Sequence, residues 1–254
     1  MLRFSQAVLC RYSRILQKKY HLSLKEGWWR INQEEFFNTS IRCFPLIELP
    51  STDSPAKGAL IVLHGWGANQ HDLVPFVQNL GLKGTHSFFP DGLFDVPGTG
   101  GVGRGWFSFP LNENSERERM KSREMLFSLV NDVQKKGFTP KEIVLVGFSQ
   151  GAGMCLDVML HLKTPIGAVV ALSGFLMDGE KVKSREDLPT ETPIFAAHGL
   201  YDPILPLKQS KETLHTLKES GFSLTWKEYP IAHEISYDET GDICVFLKNV
   251  FGTK

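Results

Sequence analysis

Residues Gly147-Phe148-Ser149-Gln150-Gly151 follow the apolar run Ile143-Val144-Leu145-Val146 and lead into a helix-compatible stretch, Ala152 to His161. Met154, Leu156, Met159 and Leu162 recur there at helical spacing. A chain that leaves a strand and enters a helix within a residue or two must bend sharply. The serine at the bend is forced outward, and small flanking residues are needed because larger ones collide across the turn. An ordinary Gly-Ser turn shares the bare pentapeptide, but the strand before it and the helix after it favour a nucleophile elbow. Such an elbow leaves the Gln150 amide unpaired at the helix start, pointing where an oxyanion forms.

A serine hydroxyl needs a base within hydrogen-bond reach and a third group to orient that base. On an elbow of this kind the chain order is serine, acid, histidine, with the last two in loops after successive strands. The strand candidate Pro193 to Gly199 is followed by Leu200-Tyr201-Asp202-Pro203, and Asp202 is the expected acid. After a helical stretch, Leu207 to Ser220, comes the strand candidate Ser223 to Tyr229 and then Pro230-Ile231-Ala232-His233-Glu234, which makes His233 the expected base. Asp202 alone reads first as a turn cap before Pro203; its order and spacing with His233 decide for catalysis. Asp178, after the strand Ala168 to Leu172, is the reserve acid, and Glu234 reads as a solvated charge.

The other half of an oxyanion site is expected after Ala59-Leu60-Ile61-Val62-Leu63, a continuous apolar run of the kind a strand buried on both faces shows. His64-Gly65-Trp66-Gly67-Ala68-Asn69 follows it. Its glycines let a main-chain N–H approach a reacting carbonyl, so the Trp66 amide pairs with that of Gln150 as the expected oxyanion hole, the Trp66 side chain mattering less. His64 is expected to fix the loop.

With these blocks the chain resembles the carboxylesterase/phospholipase family of α/β-hydrolases, across about residues 57 to 250. The resemblance rests on Leu63 to Asn69 with Asp72-Leu73, on Gly147 to Gly151, on His198-Gly199-Leu200-Tyr201-Asp202-Pro203-Ile204-Leu205-Pro206, and on His233-Glu234-Ile235. It implies a mostly parallel sheet with helices on both faces and a metal-independent, cofactor-free serine esterase with Ser149, Asp202 and His233 as its triad. Small-molecule ester or acyl compounds are then the substrates, with acyl-thioester hydrolysis or acyl transfer as alternatives on the same groups. A non-catalytic binding protein of this fold is the remote alternative, disfavoured because all three triad members are present. Phe89-Pro90-Asp91 and Gly105-Trp106-Phe107 resemble the family's substrate-side loop, which assigns substrate contact to Trp106 and Phe107. Two positions depart from the family pattern, Ala152 and Ala232, where glycine is common.

Length and alternating strand and helix patterns fit one α/β domain, residues 26–254, after an N-terminal extension, residues 1–25. That extension carries Arg3, Arg11, Arg14, Lys18, Lys19 and Lys25 without an acidic residue, and Phe4, Val8, Tyr12, Ile15 and Leu16 share another side of a helical wheel. A basic amphipathic helix is expected there, as a packed structural extension, a peripheral lipid contact or an organelle presequence. Trp28 to Leu49 reads as edge strands. A formal net charge of zero argues against nucleic acid as a partner. Cys10, Cys43, Cys155 and Cys244 are scattered, which indicates neither a disulfide framework nor a zinc site and fits a reducing, cytoplasmic setting. No apolar run approaches the roughly 18 residues of a membrane span.

Gly98-Thr99-Gly100-Gly101-Val102-Gly103 matches G-x-G-x-x-G formally, but no helix follows, so it reads as a loop at the mouth of the site rather than a dinucleotide site. The run Glu116-Arg117-Glu118-Arg119, at the start of a helix expected over 115–136, reads as a solvated face. The oligomeric state is not written in the sequence.

Overall fold

The computed structural model describes residues 44–252, together with the strand residues Leu24–Lys25 and Trp28–Trp29. The chain divides into two compact units, residues 1–43 and 44–254. In the first, β1 (Leu24–Lys25) pairs antiparallel with β2 (Trp28–Trp29). The remainder of the expected N-terminal helix lies outside the described residues.

The second unit is a seven-stranded sheet. Its strands are β3 (Leu46–Leu49), β4 (Gly58–Leu63), β5 (Thr85–Pro90), β8 (Ile143–Phe148), β9 (Ala168–Leu172), β10 (Ile194–Gly199) and β11 (Leu224–Tyr229). A separate short hairpin joins β6 (Phe94–Asp95) to β7 (Arg104–Gly105). The order across the sheet is β11-β10-β9-β8-β4-β5-β3, and only the edge strand β3 runs antiparallel, against β5. The helices are α1 (Val74–Leu80), α2 (Ser115–Lys135), α3 (Gln150–His161), α4 (Gly179–Lys183), α5 (Leu207–Glu219) and α6 (Tyr237–Val250).

Strand β4 shows why the inner strands are uninterrupted apolar runs. Ala59, Ile61 and Leu63 face one core with residues of α2, α3 and α5, whereas Leu60 and Val62 face a second core with α1 and α6. Both faces are covered, so alternation with polar residues would bury unpaired groups. Each large side chain removed from water there contributes about 1.5–3 kcal/mol. Phe88 and Phe89 belong to these cores as part of β5. The expectation that Phe89 and Pro90 lie on a substrate-side loop is corrected by that strand pairing.

The charge run at the start of α2 is not a solvated face throughout. Arg119 is buried and pairs with Asp157 of α3 and with Asp178, while the Glu118 carboxylate accepts the Ser108 amide at 2.7 Å. Burial by itself lowers the Arg119 pKa, but its hydrogen bond to Asp178 and the nearby charges of Asp157, Asp178 and Glu116 outweigh that and raise it. Asp178 is thereby a structural partner of Arg119.

Candidate active site

The carboxyl ends of β4, β8, β10 and β11 converge on one side of the sheet, where open α/β sheets carry their sites. Ser149, between β8 and α3, adopts φ 55° and ψ −117°. This backbone is unfavourable for a residue with a side chain and persists only when its surroundings hold it. Its amide donates to the Leu172 carbonyl at 2.8 Å, and its carbonyl receives the amides of Ala152 (3.0 Å) and Gly153 (3.2 Å). The glycines are there because the backbone has no room for more. A Cβ on Gly151 would lie 2.2 Å from the Leu63 carbonyl oxygen, and one on Gly147 would lie 2.4 Å from the Gly151 carbonyl carbon.

Asp202 and His233 meet the serine from the next loops. His233 Nδ1 lies 2.6 Å from Asp202 Oδ2, and its Nε2 lies 3.0 Å from Ser149 Oγ. Asp202 Oδ1 accepts the amides of Ile204 (2.8 Å) and Leu205 (2.9 Å). Its side chain has no exposed surface, and that of His233 is 17% exposed. Burial alone pushes the Asp202 carboxyl up, but the His233 hydrogen bond and the two amides outweigh it and hold it below the ordinary carboxylate range. The acid therefore stays ionised near neutral pH. Nδ1 must then carry the proton it donates to Asp202, which leaves the Nε2 lone pair facing the serine hydroxyl.

The loop after β4 is assembled around His64. The Gly92 amide donates to His64 Nε2 at 3.0 Å, so Nδ1 bears the ring proton and donates to the Gly65 carbonyl at 2.7 Å. The Gly65 carbonyl and the Trp66 N–H belong to one planar peptide and point oppositely, so holding the first aims the second. Neither the Trp66 nor the Gln150 amide has an acceptor among the described residues. The loop is also laced to the β6–β7 hairpin, with the Gly67 amide donating to Arg104 O (2.9 Å) and the Arg104 amide to Ala68 O (2.7 Å).

A cavity of about 340 Å³ opens at Ser149, Gln150 and His233, and its walls are Trp66, Phe107, Phe109, Phe175, Ile204 and Leu205. Trp106 is not among them. Its indole is fully buried, donates from Nε1 to the His64 carbonyl at 2.9 Å and braces the loop after β4 from behind. The expected substrate contact of Trp106 is thus corrected, while Phe107 does line the cavity. The Trp66 side chain also lines it, so that residue contributes more than its backbone. Phe175, just after β9, had no sequence signal. The Gln150 side chain is a second feature that motif reading missed: its Oε1 accepts the Trp106 amide (2.9 Å) and its Nε2 donates to Phe107 O (2.7 Å). Asp178 is held by Arg119 and makes no contact with His233.

A family model described as Phospholipase/Carboxylesterase matches residues 46–251. The chain belongs to the phospholipase/carboxylesterase family. It is 33% identical to acyl-protein thioesterase 1 of Debaryomyces hansenii over 227 residues, covering 81% of this chain and 97% of that protein. The crystal structure of esterase PE8 superposes with a TM-score of 0.72 at 27% identity, covering 82% of this chain and 98% of that one. Acyl-protein thioesterase 2 of Zea mays, 20% identical, shares the fold with a TM-score of 0.68 over 82% of this chain and all of its own. As a member of the phospholipase/carboxylesterase family the protein is a serine hydrolase that cleaves carboxylic esters. No helix among the described residues is long and apolar enough to cross a membrane.

Proposed function

We propose that Ser149, His233 and Asp202 are the catalytic triad of this hydrolase, with the Trp66 and Gln150 amides as its oxyanion hole and the Phe107 cavity as the seat of the acyl group. The continuous run of contacts from Asp202 through both nitrogens of His233 to Ser149 Oγ carries this reading. Ser149 Oγ attacks the acyl carbonyl as its proton passes to His233 Nε2, and the two amides receive the oxyanion. The bond to the leaving oxygen breaks as that atom takes the proton from Nε2, leaving an acyl-serine. Water then attacks with His233 again as base, the acid product departs and the serine is restored.

Acyl-thioesters are the second reading, favoured by the names of the relatives; the same steps apply with sulfur as the leaving atom. Two measurements test the assignment. A fluorophosphonate should label Ser149, located by peptide mapping, and Ser149→Ala should lower turnover by at least about 10⁴-fold while the fold survives. Labelling elsewhere, or an active alanine variant, refutes it. Paired oxygen and sulfur esters of graded chain length then rank the two leaving groups.

A further inference from the structure

His198 is the penultimate residue of β10, behind the proposed triad, fully buried, and its Nε2 has no hydrogen-bond partner among the described residues. That nitrogen faces Asp202 Oδ2 at 3.8 Å, and neither side chain has exposed surface. The same oxygen accepts the hydrogen bond from His233 Nδ1. Glu228, the register partner of His198 on β11, is engaged by Lys211 (2.6 Å) and by the Trp226 indole (2.7 Å). Asp202 is therefore the carboxylate that Nε2 confronts.

The other ring nitrogen, Nδ1, lies 3.1 Å from the Gly199 carbonyl oxygen. Both nitrogens thus face acceptors, and one of these carries a full negative charge. A bare Nε2 lone pair opposite an ionised carboxylate, with water excluded, is the less favourable choice because the charge outweighs the carbonyl dipole. We propose that His198 is a positioning residue for Asp202, presenting Nε2–H to the carboxylate oxygen that holds His233. A ring movement of about 1 Å converts the long contact into a hydrogen bond.

The consequence for the reaction follows from charge. A donor behind the carboxylate fixes its rotation and takes up part of its negative charge, so the imidazolium of His233 is less stabilised and gives up its proton more readily to the leaving group. Without that donor, His233 should hold its proton more tightly and be oriented less well.

This inference rests on Asp202 being the triad acid, so Asp202→Asn is measured alongside. The rate on a short, soluble ester is followed against pH for the wild type, His198→Phe and His198→Gln. In His198→Phe the acid limb of kcat/KM should move up by about half a pH unit to one unit, and kcat should fall roughly tenfold. His198→Gln, which keeps an N–H, should restore both. Spectra of ¹⁵N-histidine-labelled wild type, with His198 assigned by its loss in His198→Gln, should show Nε2 protonated. An unmoved acid limb in a folded His198→Phe, equal damage in His198→Gln, or a bare Nε2 would each overturn the proposal. If His198→Phe fails to fold, the glutamine variant and the nitrogen spectrum decide. A fully active Asp202→Asn would instead sink the triad reading, and this inference with it; a crippled Asp202→Asn with normal His198 variants would sink this inference alone.

Discussion

Glu239 offers a test of the fold that is independent of the reaction. It sits in the first turn of α6, where Ser236 Oγ accepts the Glu239 amide (3.1 Å) and the Ser236 amide reaches back to the Glu239 carboxylate (3.3 Å). The residue is 1% exposed, and burial pushes its pKa from an ordinary 4.5 to about 7, the Ser236 amide opposing only in part. Between those values the folded chain keeps the proton that the unfolded chain has lost. Folding therefore binds a proton, and stability falls as pH rises through this window. At about 1.4 kcal/mol per pH unit, the gap from 4.5 to about 7 amounts to about 3 kcal/mol. Glu239→Gln keeps the shape and an acceptor without the charge. It should match the wild type near pH 4.5 and exceed it by about 3 kcal/mol at pH 8.5, a urea midpoint shift of about 1 M if m is about 3 kcal/mol/M. Urea unfolding at several pH values reads this directly. Parallel curves for the two proteins across the window would refute the reasoning.

Other substitutions probe the site and its frame. Asp202→Asn should lower kcat by about 10⁴ with little change in melting temperature, because the imidazole is then held in the wrong tautomer; steady-state kinetics and a thermal melt check it. Gly174→Ala should destabilise by about 1–3 kcal/mol or more, since its Cβ would lie 2.4 Å from the Ala152 methyl, and adding Ala152→Gly should recover much of the loss in thermal melts. Arg119→Met should cost about 1.5–3 kcal/mol, since Asp178 loses its guanidinium partner while Asp157 keeps Arg123, and denaturant unfolding measures it.

The sharp turn at Ser149, the buried strands and the meeting of Ser149, Asp202 and His233 were legible because each is enforced locally. Backbone collision dictates Gly147 and Gly151, double burial dictates the composition of β4 and β8, and topology dictates which loop follows which strand. Other features depend on segments far apart in sequence. Nothing in the order Gly105-Trp106-Phe107 says that Trp106 turns inward to the His64 carbonyl while Phe107 turns to the cavity. Arg119 looks like its neighbours Arg117 and Glu118 until α3 and the loop after β9 bring Asp157 and Asp178 against it. Gly174 explains one departure from the family pattern: the methyl of Ala152 occupies the space that a side chain at residue 174 would need.

Stability and reactivity should separate cleanly at some positions of the site and not at others. Ser149 holds a backbone that costs on the order of 1–3 kcal/mol, and the Leu172 carbonyl, the Leu63 backbone and α3 together oppose its relaxation. Gln150 adds a second restraint, since its backbone starts α3 while its carboxamide grips Trp106 and Phe107, whose segment is held to α2 by Ser122 Oγ on the Trp106 carbonyl at 2.5 Å. A substitution in this frame displaces Ser149 Oγ, the Gln150 amide and the cavity wall at once, so fold and rate should decline together. Asp202 lies in a loop with exposed neighbours, Tyr201 and Ile204, and its carboxylate is matched by donors that asparagine partly satisfies. Its replacement should therefore disable the base while the strained elbow stays in place.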